Sequence, residues 1–303
     1  LAGYGYKQLI LQNWIPKWLL PISIIIVTAD LFIANYGVIL QKPPEEGFYN
    51  HTLAVNYLQN QPGYWRISSE ALLPSGGNAG KIFHLRDVTG NGPLSLANYH
   101  KFMRKVPETR WWQLLNVRYV ITERSIEYPG VNLIDNMTHP NIYQLDLGGK
   151  PVWITHDLEI VPNQDNAFQV TSSMKWLDPY QTVVLEKSPS PKPKSAIDSE
   201  SAVLVKHNNH YIEAEVSLSA PGIIVLSEID YPGWKVSANG KTIESLRAFG
   251  LLRAVSLPRG TWTIEWEYSP RSVRMGVIIS GLTICLLALL LRNTSYANKQ
   301  HSQ

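Results

Sequence analysis

Cysteine is all but missing: Cys285 is the only one in 303 residues. Its solitude excludes an internal disulfide and any CxxC metal or redox centre. Charge is thin as well, 17% of residues against 45% apolar. That is low for a chain bathed wholly in water, while the apolar content argues against disorder. A basic central body is also absent. Residues 271–303 carry +4 and residues 1–40 carry +1, so the stretch between them holds −2 within a total of +3. A nucleic-acid-binding domain needs the opposite distribution, and that class is set aside. The chain opens on Leu1 with no basic leader and cleavage site, which predicts a fragment or trimmed product of a longer protein. Phenylalanine is scarce too, 6 against 10 Trp and 15 Tyr. Rings with polar handles suit membrane interfaces and wet ligand surfaces.

Long apolar runs are present, and there are two. Residues 19–40 read LLPISIIIVTADLFIANYGVIL, preceded by Trp14, Lys17 and Trp18. Residues 273–291 read VRMGVIISGLTICLLALLL and close on Arg292. Both lengths match the roughly 20 residues of a bilayer span, so each is expected to be a transmembrane helix. The resulting expectation is an α+β membrane protein fragment, with two transmembrane helices flanking an α/β region and an antiparallel β-sandwich. Residues 1–18 would be an interfacial segment and 292–303 a cytoplasmic tail. Flanking Lys and Arg are evenly shared between the two sides and choose no orientation. Asp30 is the one carboxylate inside a run, at a cost of about 2.5–3.5 kcal/mol if central. It either faces a bundle interior or snorkels to the outer interface and pairs there.

Between the runs, Pro189, Pro191 and Pro193 deny backbone donors and favour extended chain, so 188–199 reads as a linker. Residues 41–187 alternate helical and strand signals, as an α/β region does. Helices are expected near 51–59, 94–103, 108–115 and 166–174, and strands at 64–67, 117–122 and 182–186. Residues 200–270 read as the β-sandwich. Ile212, Ala214, Val216 and Leu218 alternate with polar residues, and so do Trp262, Ile264, Trp266 and Tyr268, the period of a half-buried strand. Asn239-Gly240 is the pair that tolerates positive φ at both centres of a type I′ hairpin.

Motifs of chemistry are few. The glycines at 76, 77 and 80 miss P-loop spacing and lead to Ile82 where Ser or Thr would hold magnesium; those at 90 and 92 lack the third glycine of a dinucleotide fingerprint. Both sets read as loop glycines. His207 and His210 have no third ligand at metal spacing and read as a solvated turn. Glu265 and Glu267 lie roughly 6.5 Å apart along a strand, the polar face of an amphipathic strand rather than a glycosidase pair. No catalytic residue, metal site or cofactor is expected. The glycan-contact candidates are Asp230, Tyr231 and Trp234, two rings and a carboxylate around a Pro-Gly turn. The competing reading, which the strand pattern favours, makes Trp234 the first inward core residue of its strand.

The segments 226–240 (LSEIDYPGWKVSANG), 111–122 (WWQLLNVRYVIT), 87–94 (DVTGNGPL) and Asp30-Leu31 resemble, in order, segments of YfhO-like bacterial membrane proteins. These are large polytopic relatives of the GT-C glycosyltransferases. The resemblance implies a sugar moved from a polyprenyl-phosphate donor onto an extracytoplasmic polymer of the cell envelope. It also implies that residues 41–270 lie outside the cytoplasm in a multi-pass cell-membrane protein. The implied partners are the lipid bilayer, the envelope glycan, the polyprenyl-phosphate sugar and an N-terminal multi-span half of the same protein. The family's catalytic carboxylates lie in that half, so none is carried onto this chain. The alternative is a non-enzymatic, membrane-anchored glycan-binding or structural envelope protein.

Overall fold

The computed structural model describes residues 19–39, 49–92, 95–138, 140–147, 149–173 and 178–300. The chain divides into two compact units, Leu1–Asn50 and His51–Gln303. The first contributes one helix, α1 (Leu19–Ile39). The second holds every sheet among the described residues.

Helix α2 (Leu53–Gln59) starts where the Thr52 hydroxyl accepts from the Val55 amide at 3.3 Å, and it buries Ala54, Val55 and Leu58. Strand β1 (Arg66–Ser68) follows, then a 3₁₀ turn leading into the short α3 (Ala79–Ile82). Next come α4 (Ala97–Lys105) and α5 (Glu108–Leu114). Pro107 and Glu108 at the start of α5 suit an exposed helix N-terminus. Strands β2 (Val117–Thr122), β3 (Val131–Thr138) and β4 (Asn141–Leu145) join β1 in a four-stranded sheet of order β1-β2-β4-β3.

Strands β5 (Val152–Thr155) and β6 (Asp157–Ile160), helix α6 (Gln164–Ser172) and strand β7 (Thr182–Leu185) precede the proline-rich stretch. After it come β8 (Ser201–His207), β9 (Tyr211–Leu218), β10 (Gly222–Ile229), β11 (Trp234–Ala238) and β12 (Lys241–Thr242). Strands β13 (Leu246–Ala248), β14 (Leu252–Leu257) and β15 (Gly260–Tyr268) complete the sheets, and α7 (Arg271–Gln300) follows.

Two sheets face each other as a sandwich. One is five-stranded, β12-β11-β15-β9-β8; the other is six-stranded, β5-β10-β14-β13-β7-β6. Their shared core takes Ile212 and Val216 from β9, Ile224 from β10, Val255 from β14 and Trp266 from β15. The opposite face of the six-stranded sheet is buried as well, with Val225, Leu252 and Ala254 under Trp111 and Trp112 of α5 and Phe168 of α6. Burial on both faces explains why β10 reads as an unbroken apolar run instead of alternating. A third cluster lies between α2 and the four-stranded sheet, around Ile67, Tyr119, Ile121 and Ile142.

The structure corrects the expected fold class. Among the described residues no helix is long and apolar enough to cross a membrane, so the two transmembrane helices at 19–40 and 273–291 are not found. The described side chains of α1 run over residues 21–34 and 36 and include Asp30; those of α7 run over 271–285 and include Arg271 and Arg274. Asp30 breaks the apolar run of the first helix, and Arg271 and Arg274 charge the first turn of the last. The fold is a mixed α/β arrangement of several sheets. The interfacial segment 1–18, with Trp14, Lys17 and Trp18, lies outside the described residues, as do the side chains of the tail 292–303.

Residues 188–199 do not separate two independent halves. Strands β5, β6 and β7 come before them and β10, β13 and β14 after them, yet all six share one sheet. The stretch is stitched along the sandwich, the Lys194 amide donating to the Pro221 carbonyl at 2.8 Å and the Ile197 amide to the Ser219 hydroxyl at 3.1 Å. Proline removes donors from the chain, but the amides between prolines remain free to pair.

Candidate functional site

The site begins with a left-handed residue. Asn116, at φ +54°, turns the chain from α5 into β2. Its side-chain amide donates to the Tyr64 carbonyl at 2.8 Å, and its own carbonyl accepts from the Arg66 amide at 3.0 Å. Strand β1 is thereby laid parallel to β2, and Tyr64 and Arg66 are fixed at its start.

Opposite them, β10 is irregular between Leu226 and Ile229, while β14 continues without a break from Arg253 to Leu252. Such a bulge re-aims the side chains it contains. Ser227 is anchored by its amide to the Pro151 carbonyl and by its hydroxyl to the Leu114 carbonyl, each at 2.8 Å. Arg66 Nη1 donates to the Leu115 and Ser227 carbonyls, both at 2.8 Å. One guanidinium therefore ties β1, the end of α5 and β10 together.

Glu228 is the hub. Its Oε1 accepts from Arg66 Nη2, from the Tyr64 hydroxyl at 2.7 Å and from His207 Nε2 at 2.8 Å. Burial opposes its ionisation, but Arg66 and the hydrogen bonds from His207 and Tyr64 prevail and hold the carboxyl at about 2. Burial likewise raises the Tyr64 and Tyr99 phenols. All three donors converge on Oε1, so Oε2 has no hydrogen bond among the described residues and keeps its acceptor capacity.

Arg66, Ser227 and Glu228 line a cleft of about 360 Å³, together with Arg86, Tyr99, Ser95 and Ile229. The Tyr99 hydroxyl donates to the Val88 carbonyl at 2.7 Å, which leaves its ring as wall. Asp87 also borders the cleft, but its carboxylate is occupied by the Ser69 hydroxyl and by the amide and hydroxyl of Thr89. Arg86 is different. Its guanidinium lies 4.4 Å from the Tyr64 ring centroid, is exposed, and meets no carboxylate among the described residues.

The glycine motifs are loops packed on each other. A Cβ on Gly77 would stand 2.5 Å from the Asn91 side chain, and one on Gly90 would stand 3.3 Å from the Gly77 carbonyl. Nothing in them cradles a phosphate. Among the described residues, no group of three or more His, Cys, Asp or Glu could hold a metal ion.

The glycan-contact candidates sit apart from this cleft. Tyr231 is exposed, its ring 6.4 Å from that of Tyr268. Trp234 is half-buried against the inter-sheet core. The Arg253 guanidinium covers its ring at 3.8 Å, and Tyr268 lies at 5.4 Å. Asp230 lines a smaller hollow of about 230 Å³ with Glu186 and Arg247, and burial raises its carboxyl against the pull of Arg247 and Arg253. Arg253 is itself buried, with Nε and Nη1 lacking a hydrogen bond among the described residues, and burial lowers it to about 10. Asp30 is exposed on α1. Glu265 accepts from the Tyr211 hydroxyl at 2.6 Å on the outer face of the five-stranded sheet, and Glu267 is exposed.

Spacing along the chain missed the cleft because its partners are far apart. His207, read as part of a solvated turn, is bound to a carboxylate on another sheet. Glu228 was visible only as the single acid closing the apolar run of β10. Chemically, the cleft can receive hydroxyls and hold an anion or polar group at Arg86. A carboxyl at about 2 is far too weak a base for proton abstraction near neutral pH. No family model, no curated protein and no solved structure matches this chain.

Proposed function

We propose that this chain contains the glycan-recognising body of a bacterial cell-envelope glycosyltransferase that uses a polyprenyl-phosphate sugar, and that the cleft at Arg66 and Glu228 receives the envelope polymer. One observation carries the reading. Three segments that resemble the YfhO-like family line the same cleft: Asp87, Val88, Gly90 and Gly92 from 87–94, Leu115 from 111–122, and Ser227, Glu228 and Ile229 from 226–240. The walls support it. Sugar hydroxyls need acceptors and donors together beside an apolar surface, which Glu228 Oε2, Arg86, Ser95, Leu96 and Ile229 offer. In this reading the body lies outside the cytoplasm and orients the acceptor, and the N-terminal multi-span half supplies the chemistry. The low carboxyl pKa at the hub also favours a second reading, a non-enzymatic envelope protein that uses the same cleft to bind glycan.

Titration calorimetry of the full chain against bacterial cell-envelope polysaccharide tests the cleft. Ser95 is exposed at its edge, so Ser95→Trp fills the space without disturbing a core. The expected result is binding by the native chain and at least a tenfold loss in the variant, with its melting temperature kept. Equal binding by both, or none by the native chain, overturns the reading.

A further inference from the structure

Arg86 borders two hollows, not one. Beyond it lies a second hollow of about 260 Å³, lined by Gln59, Gln61, Trp65, His84 and Leu85 among others. Arg86 lines both spaces. Most polar groups in the second hollow are already engaged. Gln59 Nε2 donates to the Phe83 carbonyl at 2.9 Å, Gln61 accepts from the Tyr119 hydroxyl at 3.2 Å, and Trp65 Nε1 donates to the Pro62 carbonyl at 3.0 Å. His84 is not engaged: it is exposed and its ring has no hydrogen bond among the described residues. Its backbone sits at φ +56°, where a non-glycine residue is uncommon.

The groups with unused hydrogen-bonding capacity are thus Glu228 Oε2 in the first hollow, Arg86 at the boundary and His84 in the second. We infer that the two hollows are consecutive subsites for a linear glycan of at least two units, with the linkage between units seated against Arg86. This inference rests on the proposed function and deepens it. A single sugar can occupy one hollow only; a chain occupies both and passes Arg86, the residue they share. Second-subsite binding then becomes intramolecular once the first is filled, so affinity rises with length without new contacts in the first hollow.

The test uses the full chain and the same polysaccharide cut to fragments of one, two, three and six units, with affinity measured for each. Two variants report on the boundary and on the second hollow: Arg86→Ala, and His84→Gly, which deletes the ring while suiting the left-handed backbone. The expected result is at least a tenfold gain in affinity from one unit to three in the native chain. Arg86→Ala should weaken every length and cut the gain below threefold. His84→Gly should leave the single unit within twofold and weaken the longer fragments. Affinity that is flat with length, or a gain untouched by both variants, overturns the subsites while polysaccharide binding and its Ser95→Trp loss still stand. If the intact polysaccharide does not bind, the proposed function falls first and the subsites with it.

Discussion

At the scale of the residue, Glu228 sets the behaviour of the cleft. Its carboxyl lies at about 2 in the fold against an ordinary 4.5, so the fold favours the ionised form. The stabilisation is complete above pH 4.5 and is lost as pH falls toward 2. The difference amounts to about 3 kcal/mol. Glu228→Gln leaves Arg66 buried without its counter-charge, which should cost about 3–5 kcal/mol near neutral pH. Chemical denaturation from pH 7 to pH 2 is the measurement. The native chain should lose stability steeply below pH 4.5, and the variant should start lower and show a shallower fall across that window. Parallel curves would contradict the assignment. None of this was legible from spacing, because Arg66, His207 and Glu228 belong to three strands. What the sequence did display was a carboxylate at the end of an apolar strand.

At the scale of the element, alternation exposed the strands with one wet face. β9 and β15 read directly, as did the Asn239-Gly240 turn, whose residues have φ of +48° and +75°. β8 did not, since Val203 and Val205 are exposed while Leu204 packs toward the core, so no period shows. β13 was missed for another reason. Its hairpin to β14 turns on Phe249 and Gly250, at φ +55° and +71°, and phenylalanine carries no turn signal. Phe249 is there because its ring fills the core. The two hairpins should therefore respond differently to one methyl group. A Cβ at Gly240 meets nothing within 4 Å, whereas one at Gly250 stands 2.7 Å from the Phe168 ring. Gly240→Ala should cost about 1 kcal/mol from backbone strain alone. Gly250→Ala should cost about 2–4 kcal/mol, strain and overpacking together. Equal costs in urea denaturation would show that the ring yields.

At the scale of the molecule, the proline-rich stretch marked a surface path and not a boundary. Composition identifies extended chain, but it cannot say whether the flanking strands meet again, and here they do. The separation into an α/β region and a self-contained sandwich consequently dissolves in the six-stranded sheet. Residues 196–270 alone would lack β5, β6 and β7, baring one edge of β10 and the apolar face beneath α5 and α6. That fragment should fail to unfold cooperatively and should aggregate, while the full chain gives a cooperative melt of its sheets. A sharp, reversible transition from the fragment would restore the two-domain description.

The arginine that ties β1 to β10 also imposes an order in time. Arg66 and Glu228 are 162 positions apart, and contacts of such separation form late because the loop between them must close first. A chain emerging from the ribosome presents Arg66 long before its counter-charge has been made. Until β10 arrives, the guanidinium stays hydrated and the first hollow has only one wall. The cleft is then among the last features to mature, and its completion reports that strands from both ends of the body have met.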